Sequence, residues 1–231
     1  MSRCVVQRID CPSCGARQDE KVFVSVNGAR IKSAADRIID GTWGEVSCLA
    51  CGHRYLAEAP VLYSDLADGV WIVRHPLERR GEFERLEAEA EAIFVREFIE
   101  RPPAAIRAKA LRVRRRICFG REQLAEKLLA RREGIDDLAL ECLKLVLSRE
   151  HIDALFPLGP WEWRLESADD KTIGLKAVAI AGRRPVFQTF IPRERLMLVA
   201  GDLSPYREAF PELFGKIYVN ASRYLTDRAA A

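Results

Sequence analysis

Val22, Val24 and Val26 alternate with Phe23 and Ser25, and Asn27-Gly28 follows as a turn signal, so the chain shows strand-period patterning early. The pattern then shifts to a short helix from Ser33, a candidate N-cap, through Ile38 and Ile39, stopping at Gly41. Val46, then Tyr55 and Leu56, and then Val70 to Val73 read as further short strands. Residues 1–77 therefore predict a small β-rich module.

A helical period takes over at 78–100, where Phe83, Leu86, Ala90, Phe94 and Phe98 recur at three- and four-residue steps. Pro102 and Pro103 end it, because proline cannot continue the backbone ladder and pushes its predecessor out of the α region. We read 78–110 as a helical connector. From Leu111 the sequence alternates again, setting Leu111, Val113, Arg115 and Ile117 against Arg112, Arg114, Arg116 and Cys118, which predicts a strand with one strongly basic face, broken on its other face by Arg115. A helix follows over about 121–133, with Leu124 and Leu128 inward, Gly134 as a left-handed stop and Asp136 as the cap of the next helix. There Leu138, Cys142, Leu145 and Val146 form a stripe. Trp161, Trp163 and Leu165 alternate, Asp169-Asp170 turns the chain, Thr172 to Ile180 returns it, and Gly182 turns it into Pro185 to Ile191. That order predicts a three-strand meander. Pro192 suits the first turn of a helix, and Glu208–Leu213 and 220–225 suggest further short helices. The expected fold is α+β: an N-terminal β-rich module over 1–77, the connector, and a module of helices and antiparallel strands over 111–231.

Composition narrows the class. Hydrophobic residues make up 48% of the 231, enough for a buried core without disulfides, and the formal net charge is only +3. Charge is polarised locally: residues 78–100 carry four arginines against eight glutamates, and 101–133 carry eleven basic against three acidic side chains. No segment approaches the roughly 20 apolar residues that cross a bilayer. The N-terminal stretch is broken by Arg3, Arg8 and Asp10, unlike a signal peptide, so a cytoplasmic protein with no membrane partner is expected.

Seven cysteines are an odd number for a closed disulfide framework, and four of them fall into two C-x-x-C pairs. Cys11-Pro12-Ser13-Cys14-Gly15 and Cys48-Leu49-Ala50-Cys51-Gly52 each let a turn aim two sulfurs at one ion, and the trailing glycine lets the backbone bend toward them. Cys11, Cys14, Cys48 and Cys51 are therefore the candidate ligands of one structural Zn2+, and the β-rich module over 1–77 is expected to be zinc-ribbon-like. Four thiolates close the shell and leave no position for an activated water. The long interval between the pairs would be taken up by the hairpin and helix of residues 17–41. Thiol exchange is the rival use of C-x-x-C, disfavoured because neither pair opens an obvious helix. Unliganded buried cysteines are the plainer alternative, and iron fits the same donors. His53 follows the second pair but Cys51 already fills the ligand role, while His75 and His151 stand without a motif partner.

With these residues in view, the chain resembles the CpXC-domain family, named for its paired C-P-x-C motif. The match runs through Cys11 to Gly15, Cys48 to His53 and Pro60-Val61-Leu62-Tyr63. The second pair departs from the pattern, with Leu49 where proline stands in the first. Gly134-Ile135-Asp136-Asp137 and Leu143-Lys144-Leu145 are similar to the helical part of these proteins. The resemblance spans about residues 8–75 and, more loosely, 117–150; it implies metal binding by the four matching cysteines and brings no reaction with it.

The leading functional expectation is a non-catalytic, zinc-stabilised adaptor or scaffold that binds another protein. A second is nucleic-acid binding through Arg107, Lys109, Arg112, Arg114, Arg116 and Arg121, where arginines on a strand face would track phosphates. Against it, Phe119 is the only ring nearby for base stacking. An enzyme is the third, drawing on Asp136, Asp137, Glu141 and His151, although capping accounts for the two aspartates and no phosphate loop, serine elbow or open metal triad accompanies them.

Overall fold

The computed structural model describes residues 2–57, 59–180 and 184–224. Two compact units, Met1–Ala125 and Glu126–Ala231, divide the chain.

The first unit is built on a five-stranded sheet and a two-stranded ribbon. Its elements are β1 (Arg3–Asp10), β2 (Arg17–Asn27), α1 (Ala34–Ile39), β3 (Glu45–Ser47), β4 (Arg54–Leu56), β5 (Val61–Asp65), β6 (Val70–His75), α2 (Phe83–Phe94), α3 (Ala104–Ala110) and β7 (Arg114–Phe119). The main sheet has the order β1-β2-β5-β6-β7, and β3 and β4 pair separately. β1 and β2 are antiparallel and continuous in register from Cys4 opposite Phe23 to Asp10 opposite Arg17. β2 runs parallel to β5, and β6 runs parallel to β7.

Each parallel pair needs a crossover, because a tight turn can join only antiparallel neighbours. The β2-to-β5 crossover contains α1 and the β3–β4 ribbon. The β6-to-β7 crossover is the helical stretch 77–110, so the expected connector joins two strands of one sheet rather than two modules. Leu86, Ala90 and Phe94 form the buried stripe of α2, and the Phe94 ring meets the fully buried Trp71 of β6 edge-on at 5.2 Å and 74°. A π-helical turn over Val95–Glu100 continues α2, with Phe98 stacked on Phe94 at 5.1 Å, before Pro102 and Pro103 end it.

The boundary expected at residue 110 differs from this division, since β7 is an edge strand of the first unit's sheet. Its start is also later than the alternation from Leu111 predicts. The Leu111 amide donates to Arg107 O and the Val113 amide to Ala110 O, so the helical turn runs on, and strand pairing begins with the Arg114 amide on Gly69 O at 2.8 Å. Leu111 is consequently exposed.

In the second unit, α4 (Gly120–Arg132, entering from the first unit) leads to α5 (Asp137–Glu150) and a single turn α6 (Ile152–Leu155). The junction follows the expectation. Gly134 has φ +65°, the Ile135 amide donates to Ala130 O and the Gly134 amide to Arg131 O, which is a Schellman stop with buried Ile135 as its apolar contact. Asp136 then caps α5 by accepting from the Leu138 and Ala139 amides. β8 (Trp161–Ala168), β9 (Thr172–Ala179) and β10 (Pro185–Pro192) form the antiparallel meander in the order β10-β9-β8. Asp169 accepts from the Lys171 and Thr172 amides, both at 2.7 Å, to shape the β8–β9 turn. The Gly182 turn and the end of the 220–225 helix lie outside the described residues. Short helices α7 (Arg193–Gly201), α8 (Ser204–Ala209) and α9 (Pro211–Gly215) complete the unit, and Leu213 and Val219 pack against Cys142 of α5.

Candidate metal centre

Two turns of identical hydrogen bonding carry the four cysteines. In the first, the Cys11 amide donates to Ala16 O and the Gly15 amide to Cys11 O, both at 2.9 Å. In the second, the Cys48 amide donates to His53 O and the Gly52 amide to Cys48 O, again both at 2.9 Å. Gly15 at φ +71° and Gly52 at φ +72° occupy the left-handed region that a side chain strains, which is why each pair ends on glycine. The first turn joins β1 to β2, and the second joins β3 to β4.

These turns bring all four sulfurs within 4.8 Å of one another. Cys11 Sγ lies 3.8 Å from Cys51 Sγ, and Cys14 Sγ lies 3.7 Å from Cys48 Sγ. Thiolates about 2.3 Å from a central ion form a tetrahedron with edges of about 3.8 Å, so the spacing fits one four-coordinate metal. The cysteines are unbridged. Cys11 and Cys48 are buried, whereas Cys14 and Cys51 are exposed.

Crowding perturbs the thiols unequally. Backbone N–H groups of Cys51 and Ala50 bring Cys48 down to about 7 against burial. At Cys14 the Ala16 N–H favours the thiolate, but Cys51, burial and the remaining sulfurs outweigh it and push the group up to about 12. Four thiolates cannot share this volume without a cation; a bound metal ion would remove the conflict.

Gln18 of β2 is a member of the centre that the cysteine motif does not reveal. It is 8% exposed, its Oε1 accepts from the Leu49 amide at 2.8 Å, and its Nε2 donates to Ser47 O at 3.0 Å. The strand that leaves the first turn thereby grips the backbone of the second. A glutamine at the second position of a strand that begins polar and ends apolar is the one signal the sequence offers.

Other candidate groups stand elsewhere. His53 is exposed, its ring stacked on Tyr55 at 6.2 Å, and it contributes its carbonyl rather than its imidazole to the second turn. His75 is buried beside Phe119, and His151 lies against Phe187 at 4.9 Å. Asp137 and Glu141 belong to a buried charge network in the second unit. Glu141 Oε1 accepts from Lys127 at 3.1 Å and from Lys144 at 3.0 Å, and its Oε2 accepts from the Ala221 amide at 2.8 Å. Lys127 also lies 3.6 Å from Asp137 and donates to Val219 O, while Glu126 accepts from Lys144 and from the Leu165 amide. Burial alone would raise Glu141, but Lys127 and Lys144 outweigh it and hold the carboxyl below its ordinary range. Burial dominates at Glu126 and raises it. These bonds bind α4, α5, β8 and the 219–221 segment together.

The basic residues do not form one strand face. Arg107 and Lys109 stand exposed on α3, Arg112 on the turn after it and Arg114 at the start of β7, whereas Arg116 on β7 and Arg121 on α4 are half-buried. Arg115 turns to α2, its Cζ 5.2 Å from the Phe94 ring and its Nη1 3.5 Å from Glu91. The helical extension through Val113 is what splits the predicted alternation between elements. Among the described residues no helix is long and apolar enough to cross a membrane.

No curated protein and no solved structure matches the chain. The profile of the family described as CpXC protein matches residues 9–144, more than half the chain, including both cysteine turns, the whole sheet from β2 to β7 and most of α5. A four-cysteine cluster of metal-binding spacing inside that match agrees with the family's paired motif, and the chain belongs to the CpXC protein family.

Proposed function

We propose that Cys11, Cys14, Cys48 and Cys51 hold one structural zinc ion, and that the protein is a non-catalytic adaptor or scaffold that acts by binding another protein. The sulfur cluster carries the first part: a closed four-thiolate shell supplies cross-linking and charge neutralisation and leaves no coordination position for a reacting water. The ion would tie the β1–β2 turn to the β3–β4 ribbon, two stretches distant in the chain and linked by no disulfide. The adaptor part draws support from what the second turn displays. Leu49, at its tip, is 86% exposed, and Gln18 holds its backbone in place. An apolar side chain on a fixed backbone costs a partner little ordering entropy to engage.

Affinity capture from native cells, with Leu49→Ser as the comparison, tests the adaptor reading. A specific protein retained by the wild type and lost by the variant is expected; a monomer by light scattering with no co-purifying protein would contradict it.

Nucleic-acid binding is the second reading, and the observation favouring it is the exposed trio Arg107, Lys109 and Arg112 at the end of α3. Titration of single- and double-stranded oligonucleotides at rising salt decides it. Binding through these residues falls steeply with salt, and no binding at about 50 mM salt eliminates the reading.

A further inference from the structure

α3 and the turn that prolongs it are held to the first unit by two side chains. Helical hydrogen bonding runs on as far as the Val113 amide, which donates to Ala110 O, and Ala110 and Val113 are the buried residues of the stretch. Every other residue from Ala104 to Arg112 is exposed. At about 100° per residue, Ala104, Ala108 and Leu111 share the side turned away from Ala110 and Val113. Leu111 is 73% exposed there. Arg107 flanks this apolar line on one side, and Arg112 and Lys109 flank it on the other.

The cations carry free charge. No aspartate or glutamate occurs between Arg101 and Arg121 in the sequence. Among the described residues the side chains of Arg107, Lys109 and Arg112 make no ion pair. Arg101 is engaged by Glu97 at 2.8 Å, and Arg114 and Arg116 have partners of their own, so the unpaired charge here is that of three side chains. An apolar line bordered by lysine and arginine is the arrangement of helices that lie in the headgroup layer of a membrane.

We propose that this face docks on an anionic phospholipid surface, with Leu111 entering the boundary between headgroups and acyl chains and Arg107, Lys109 and Arg112 meeting the negative headgroups. The contact is peripheral and needs no spanning helix. It goes beyond the adaptor reading, which concerns a protein partner and Leu49. Nucleic acid would engage the same cations, but a phosphate backbone gives Leu111 no apolar contact, and Phe119, the one ring in this stretch of sequence, is buried and closed to base stacking.

Sedimentation of the full chain with vesicles of phosphatidylcholine alone, and of phosphatidylcholine mixed with phosphatidylserine, tests this. Pelleting with the mixed vesicles and none with the neutral ones is expected, falling as salt rises. Arg107→Gln should weaken binding about fivefold, the equivalent of about 1 kcal/mol for each basic residue near such a surface. Leu111→Ser should weaken it about tenfold through the lost apolar insertion, with the salt dependence unchanged. Both side chains are exposed, so neither substitution should alter melting. Titration of a DNA duplex with the same proteins separates the two polyanions. Duplex binding undiminished by Leu111→Ser, with no pelleting on mixed vesicles, would assign the cations to nucleic acid and overturn the proposal. Equal pelleting with neutral vesicles, or full binding by both variants, would overturn it as well.

Discussion

Gln18 Oε1 accepts a hydrogen bond from the Leu49 amide at 2.8 Å, and through it the strand after the first cysteine turn fixes the backbone of the second. Removing that acceptor should leave the sulfurs in the chain but misplace Cys48 and Cys51. Gln18→Ala is expected to lower metal affinity by about 10- to 100-fold, the usual cost of losing an outer support of a metal site. Competition with a chromophoric chelator measures it, and unaltered affinity would show that the two turns align without this bond.

Cys48→Ser removes one donor from the proposed zinc shell. Metal content and melting temperature should fall together, because zinc-coupled folding is worth on the order of 10 kcal/mol in small zinc domains. An unchanged melting curve would mean that the cluster contributes nothing to the fold.

His75 predicts a pH dependence of its own. Burial first, and then Arg79, bring its imidazole down to about 4 from an ordinary 6.5. Between those values the unfolded chain binds a proton that the folded chain refuses, so stability falls as pH drops from 6.5 toward 4 and then levels off. The contribution is about 2 kcal/mol after allowing for solvent near the ring. Urea unfolding of His75→Gln against wild type across this range should show a flatter curve for the variant; parallel curves would refute the assignment.

Glu141→Leu should destabilise the second unit by about 3 kcal/mol, because it removes a carboxylate shared by two buried ammonium groups and leaves Lys144 with Glu126 and Lys127 with Asp137 as their remaining acidic partners. Denaturant unfolding reads the loss directly. A change below about 1 kcal/mol would mean that water reaches Lys127 and Lys144 after the substitution.

What the sequence disclosed, and what it hid, follows the range of the interactions. The cysteine turns, the Gly134 stop and the Asp136 cap were legible because each is decided within about six residues by backbone geometry and one side chain. The β8–β10 meander was legible for the same reason, its neighbours being joined by short turns. The parallel pairs β2–β5 and β6–β7 were not: their partners are separated by whole crossovers, and period-2 patterning is the same whichever strand lies alongside. This is why a helix that returns the chain to its own sheet looked like a link between modules. Glu126, Lys127 and Lys144 were hidden for another reason. Charged residues on helices ordinarily mark the solvated face, and only the meeting of α4 with α5 shows that these charges neutralise one another in the interior. Gln18 escaped notice because its partners are backbone atoms of a distant turn.

In the proposed centre, four sulfurs from two separate stretches of chain enclose one cation. Elemental analysis of gently purified protein, normalised to chain concentration, should find one zinc per chain, lost when Cys48 is replaced by serine. Protein carrying no stoichiometric metal, with Cys11, Cys14, Cys48 and Cys51 recovered as free thiols or disulfides, would contradict the proposal.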